Sequence, residues 1–419
     1  MNVSKFFSDK TAWLLVLLYV LWTRFFNFYL LSSFVNWYKI EESIILILFI
    51  LMIPSIFRGL QENTISKNVS LLLVMFALSV VWAYIYWDQG IYQSIRGLTS
   101  NCLLLVLFFL FKNKNIGIDT ITKAILILSV IYCICLAIAI ATFPNCLFGD
   151  FSNTLSTVDD FERSLEQRGA MRLPVPGADF VILAIFIVIS KYKDNPKMYL
   201  WLIPLVFFLL QRGTRTPVFM TILIALAYRL WSVKNKYLVL VLSILIYIGS
   251  IAAFSSILNS KSENIMVKYI QESNDQIEKN KNEEDDIRIQ MSTYYLTEFN
   301  NGNLLKSITG NGIPSGDSAY GKKRDYLMDA RRFFVEDVGF VQIFVWFGLI
   351  GLIVYAKLLV KAIKIPRQQN YTYGFLYIVY LFTILPTNCS LATRPIFLAI
   401  ALYVLYLGEK ESYEALECE

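Results

Sequence analysis

Glu336 and Asp337 stand side by side at the mouth of an apolar run that begins at Val338, closely preceded by Arg331 and Arg332. The chain contains no histidine, which removes the commonest proton carrier and the commonest metal ligand from any mechanism. Carboxylates are then the leading candidates for a base. A carboxylate poorly hydrated at a protein–membrane junction has a raised pKa and accepts the proton of a substrate hydroxyl. The competing reading is structural: an acid at a helix start serves as a cap or dipole partner, worth from below 1 to about 2 kcal/mol.

A second set of candidates is cationic. Arg212 and Arg215 lie three apart in Gln211-Arg212-Gly213-Thr214-Arg215-Thr216-Pro217, with no acid nearby in sequence. The planar guanidinium fork binds phosphate oxygens in pairs and keeps its charge when partly desolvated, so this pair reads as an anion site. Arg172 lies beside the membrane before the stiff Leu173-Pro174-Val175-Pro176-Gly177 turn, and Arg288 follows the charged run Lys279–Asp286. That run reads as a hydrated turn rather than a metal site. Arg96 and Arg394 are lone outer cations, for which snorkelling to headgroups or pairing with an acid is the favoured reading. Arg24, inside an apolar run, must face a polar interior or a partner.

These residues are positioned by membrane helices. Of 419 residues, 56% are hydrophobic and 17% charged, more apolar surface than a soluble core can bury. Apolar runs of roughly 15–25 residues suit helices crossing a ~30 Å hydrocarbon layer. About twelve spans are expected, making an all-α polytopic membrane protein: Thr11 to beyond Leu31, Ile44–Phe57, Leu71–Trp87, Ile95–Phe111, Ile121–Thr142, Ala178–Ser190, Met198–Leu210, Pro217–Trp231, Tyr237–Phe254, Val338–Val360, Gly374–Pro386 and Ala392–Leu407. The net charge of +6 is spread through short connections, not gathered into the stripe a nucleic-acid partner needs. Those connections sort by sign: most lysines fall on one side, leaving Lys39, Arg96, Arg212, Arg215 and Arg394 in the short turns of the other. This places both termini in the cytoplasm and the long connections 143–177 and 255–336 outside.

Three parts follow: N-terminal spans 1–254, a large extracytoplasmic loop 255–335, and C-terminal spans with a cytoplasmic tail, 336–419. Within the loop, Glu263–Glu278 reads as an amphipathic helix, Ile289–Phe299 has helical periodicity, and Gly310 and Gly312 read as turn glycines. Cys146 and Cys389 both fall on the outer side, where a disulfide is possible.

Three features in this order resemble the O-antigen polymerase and ligase superfamily of bacterial envelope proteins, Wzy-type polymerases in particular. They are Arg172-Leu173 with Pro176-Gly177-Ala178-Asp179, then Thr214-Arg215-Thr216-Pro217, then a long loop with Arg288, Gly310-Asn311-Gly312 and a polar pair before Val338-Gly339. The resemblance implies a GT-C-like helical fold in the bacterial inner membrane. It also implies a metal-independent glycosyltransferase without cofactors, acting on polyprenyl-pyrophosphate-linked oligosaccharides, with arginines on the pyrophosphate. The expected partners are that lipid-linked donor and acceptor and the bilayer, with a chain-length regulator and a flippase beside them. The ligase branch looks as though it uses a histidine where this chain has Glu336-Asp337, which weakens the ligase alternative. A transporter of lipid-linked saccharides would show paired halves, interrupted helices and mid-membrane polar residues, and none of these is apparent in the sequence.

Overall fold

The computed structural model describes residues 9–29, 43, 47, 50–58, 64–112, 116–142, 147–149, 175–211, 215–231, 287–365 and 369–417. It is nearly all helical. Among the described residues there is no strand, and a single isolated bridge joins Phe28 to Phe148. In chain order the principal helices are α1 (Lys10–Trp22), α2 (Thr64–Trp87), α3 (Ile91–Leu98), α4 (Val106–Lys112, continuing a 3-10 turn from Asn101), α5 (Ile118–Ala141), α6 (Ala178–Ser190), α7 (Leu202–Gln211), α8 (Arg215–Trp231), α9 (Ile287–Thr293), α10 (Leu304–Thr309), α11 (Ala319–Arg331), α12 (Gly339–Ile363), α13 (Thr372–Ile384) and α14 (Pro395–Glu417).

Among the described residues three helices are long and apolar enough to cross a membrane: Ile65–Trp87, Ile118–Ala141 and Gly339–Ile363. The chain is therefore read as an all-α, membrane-embedded protein. The span expected over Ile95–Phe111 is instead two helices bent by 59°. Its apolar run is interrupted by Thr99-Ser100-Asn101, and Asn101 turns inward to donate to the Leu391 carbonyl at 3.1 Å. The first span is shorter than expected, because helix α1 stops at Trp22 and Phe25, Phe26 and Asn27 have left-handed backbone. The spans expected at Ala178–Ser190, Met198–Leu210 and Pro217–Trp231 coincide with shorter apolar helices. Tyr237–Phe254 and Glu263–Glu278 lie outside the described residues.

The chain divides into two compact units. One comprises residues 1–22, 35–125 and 287–419; the other comprises 23–34 and 126–286. In the first, α2 packs along α12 through Phe76 and Phe347, whose rings lie 5.0 Å apart. Helix α13 packs on α14, where Gly374 leaves room for Val404 and the Ala401 carbonyl, the close approach that small residues permit in membranes. Phe111 of α4 meets Tyr406 of α14 at 4.6 Å. In the second unit, α6 buries every side chain from Ala178 to Ser190, as expected of a helix that is apolar all round. Helices α7 and α8 pack against it.

Candidate functional site

The first unit concentrates its polar side chains where a loop enters between α2 and α12. Helix α12 is interrupted at Gly348, whose φ of 68° and ψ of −174° break the helical hydrogen-bond ladder. The carbonyls released by that break are satisfied from the loop: Asn311 N–H donates to Val345 O and Gly312 N–H to Trp346 O, both at 2.9 Å. Inside a membrane every backbone carbonyl needs such a partner. Glycine is required at this crossing. A Cβ on Gly310, itself at φ 81°, would overlap the backbone of Trp346, Phe347 and Gly348, and one on Gly312 would overlap Ser79 O and Ala83 of α2.

Two buried amides fix the loop to the end of α2. Asn311 donates from Nδ2 to Asn300 Oδ1 at 2.9 Å and to Val345 O at 3.2 Å, and its Oδ1 accepts from Trp87 Nε1 at 3.1 Å. Gln89 donates to Ser94 Oγ at 2.9 Å and Ile313 O at 2.8 Å, and accepts from Ser315 N at 3.0 Å and Ser318 Oγ at 2.7 Å. Ser318 in turn caps α11 by accepting from Gly321 N. The loop is thus a folded wedge.

Beyond α11 the chain turns through Arg332, Phe333 and Phe334 into a 3-10 turn, Val335–Asp337, and then α12. Helix α12 takes Val338 as its N-cap, with no side-chain cap bond, so neither acid serves as the cap of this helix. Glu336 is half-buried and Asp337 exposed. Burial pushes the Glu336 carboxyl above its ordinary pKa; its own amide and Arg324 oppose the rise, while Asp337 and Asp325 reinforce it. Arg324 is itself engaged, donating from Nε at 2.9 Å and Nη2 at 2.6 Å to Asp325 Oδ1. Gly339 lets the Leu385–Asn388 turn approach so closely that a Cβ would overlap the Asn388 carbonyl. Asn388 Oδ1 accepts from Thr393 Oγ1 and from Arg394 Nη1, and Arg394 is buried. Burial, above all, pushes the neighbouring Cys389 thiol up to about 12; the Arg394 charge lowers it and the Glu336 charge raises it.

An aromatic stack leads away from this acid. Tyr320 stacks on Trp87 at 4.6 Å with ring planes 8° apart, and Phe299 lies 6.1 Å from Trp87. The Tyr320 hydroxyl is buried without a hydrogen-bond partner. Burial pushes its pKa up, and Tyr295, Arg324 and Glu336 all lie within electrostatic range of it. At the Trp87 end are two ammonium groups: Lys306 Nζ lies 4.8 Å and Lys323 Nζ 5.1 Å from the indole centroid. Arg331 stands over Tyr294 at 5.2 Å and over Phe333 at 6.0 Å.

Of the residues singled out in the sequence, Glu336, Asp337, Arg331, Arg332 and Arg394 fall in this region of the first unit. Arg288 is exposed on α9, which packs beside the Val335–Asp337 turn. Arg96 is exposed in the last turn of α3. Arg172, Arg212 and the run Lys279–Asp286 lie outside the described residues, and Arg215 opens α8 of the second unit. Cys389 is a buried free thiol, and Cys146, considered as its disulfide partner, lies outside the described residues. Among the described residues no group of three or more cysteines and acids is placed to hold a metal ion. Sequence reasoning missed Trp87, Gln89, Lys306, Tyr320 and Lys323. The one local signal was the unusual Trp-Asp-Gln-Gly at the end of an apolar run. No known family model matches this chain, and none of the curated proteins matches it.

Proposed function

We propose that the protein is a membrane glycosyltransferase that joins polyprenyl-pyrophosphate-linked oligosaccharide repeats into a surface polysaccharide, with Glu336 as the base. The observation that carries this reading is Glu336 itself. It is a half-buried carboxyl of raised pKa just before a membrane-length helix that it does not cap, with the Arg324 charge within electrostatic range. A carboxylate made more basic by a raised pKa accepts a hydroxyl proton in the transition state and typically contributes ~10²–10⁴-fold. Asp337 stands next to it as the substitute.

In this reading the acceptor hydroxyl attacks the anomeric carbon of the growing chain, the C–O bond to pyrophosphate breaks, and polyprenyl pyrophosphate leaves with the electron pair. Arg215 and Arg212, helped by Arg172 or Arg288, stabilise the charge that builds on the leaving group. The proposal includes about twelve spans, a bacterial inner-membrane location, cytoplasmic termini and the catalytic end on the extracytoplasmic side. The test is to incubate the full chain in liposomes with one defined lipid-linked repeat and size the products. A ladder is expected, and a failure of the wild-type protein to lengthen the repeat overturns the reading.

One observation favours a second reading. The interrupted helix at Gly348, with Asn311 and Gln342 buried beside it, is the feature expected of a transporter of lipid-linked saccharides and not anticipated from the sequence. A transporter moves the labelled repeat between leaflets without changing its size.

A further inference from the structure

Lys306 and Lys323 are not used by the carboxylate chemistry, and their surroundings are unusual. They come from different helices, α10 and α11, and converge on one indole. Lys306 also lies 5.1 Å from the Tyr86 ring, and Lys323 lies 4.3 Å from Phe299. Desolvation, followed by the Lys306 charge, lowers the pKa of Lys323. Among the described residues neither ammonium has an acid within ion-pair distance; the acid nearest in the fold of α11, Asp325, is taken by Arg324. Asp88, which follows Trp87, is exposed and engages neither lysine. The aromatic faces offset only part of this cost, because a cation–π contact at a half-exposed site is worth about 0.5–1 kcal/mol. The pair is complementary to an anion.

The location selects which anion. Trp87 is the last residue of a membrane-length apolar helix, the depth at which Trp, Tyr and Lys meet lipid headgroups. Apolar side chains are exposed on both sides of the lysines. Leu304, Leu305 and Ile308 surround Lys306 on α10, and Val81, Tyr84 and Ile85 occupy the last two turns of α2. Charge above and bare hydrocarbon alongside is the chemistry of an amphiphile, not of a free ion.

We propose that Lys306 and Lys323, gathered on Trp87 at the end of α2, bind the phosphate of an anionic phospholipid whose chains lie against the exposed apolar faces of α2 and α10. Basic clusters at this depth recognise such headgroups. The site is separate from Glu336 and stands whether or not the chain transfers sugars.

The test uses the full chain in neutral detergent, exchanged against an equimolar mixture of phosphatidylglycerol and phosphatidylcholine. The lipid retained after size exclusion is measured by mass spectrometry. The wild type is expected to retain phosphatidylglycerol in excess, and the Lys306→Gln/Lys323→Gln double variant to return to the ratio of the mixture. Each charge-assisted contact is worth about tenfold in affinity. Lys306→Arg/Lys323→Arg should keep the excess, as should Lys322→Gln, which removes an exposed charge from the adjacent position of the same helix. Thermal unfolding checks that each variant is folded, and Lys323→Gln alone, expected to lose part of the excess, serves if the double variant is not. Equal excess in wild type and the Gln variants, or equal loss in Lys322→Gln, overturns the proposal. Displacement of the lipid by millimolar inorganic phosphate overturns the assignment to lipid.

Discussion

Two polar clusters lie one turn of chain apart in the same unit, and they are built on opposite terms. Around Asn311 and Gln89 the side-chain amides are bonded on both their donor and acceptor ends. Around Tyr320 a buried hydroxyl has no partner, two ammonium groups share the Trp87 ring with no acid in ion-pair distance among the described residues, and a carboxyl is held above its ordinary pKa. A fully satisfied buried network fixes a conformation, whereas unpaired polar groups cost free energy that a fold tolerates where they serve a ligand. The first cluster is architecture. The second is where chemistry is to be sought.

The comparison can be broken in several ways. Glu336→Gln should lower product formation from lipid-linked repeats by two orders of magnitude or more, as expected for a lost general base, with no loss of unfolding midpoint. Equal activity in the variant would move the base elsewhere. Gly310→Ala should cost about 3 kcal/mol, from positive φ and from overlap with the Trp346–Gly348 backbone, measured by thermal unfolding in detergent. Asn311→Leu should cost about 2–4 kcal/mol, because Trp87 Nε1 and Asn300 Oδ1 lose their partner while buried. Tyr320→Phe sharpens the contrast: removing a hydroxyl with no partner should change stability by no more than about 1 kcal/mol, and in the stabilising direction. A large loss there would show the hydroxyl bonded and collapse the distinction between the clusters.

The smallest effect is in pH. A carboxyl whose folded pKa is raised binds its proton more tightly in the native state, so native stability falls as pH rises from the ordinary carboxylate value, about 4.3, through the raised one. Glu336→Gln should therefore gain midpoint relative to wild type across that window and not below it. A constant difference at all pH values would mean that Glu336 is not desolvated.

Much of this region was legible in the sequence, for local reasons. The apolar runs announced the helices, the alternation over Ile289–Phe299 announced a helix that emerges as α9 with a following π turn, and Gly310-Asn311-Gly312 announced a turn. The pair Glu336-Asp337 was visible because two acids at the edge of an apolar run are costly. The interruption of α12 was not legible, since Gly348 sits in Trp-Phe-Gly-Leu-Ile-Gly, where a glycine also serves plain helix packing. Only the loop amides that meet its carbonyls, over thirty residues away, define the break. The lysine pair was hidden for the same reason: Lys306 and Lys323 acquire meaning only beside Trp87, more than two hundred residues earlier. The 59° bend after α3 left a trace in Thr99-Ser100-Asn101, but an apolar composition on both sides masked it. Arg215 belongs to the unit that does not contain Glu336, a division that no local pattern encodes.

The bond from Trp87 to Asn311 closes a separation of 224 residues, and the hydrogen bonds to the Gly348 break require chain made later still. During synthesis, α2 is complete long before the segment that seals its end exists. Its end stays uncovered until that segment is made. Native contacts this distant in sequence form late and slowly. The final step of maturation is thus the arrival of the glycine wedge, and a ribosome stalled before residue 348 leaves a protein whose first spans are in place but unlatched.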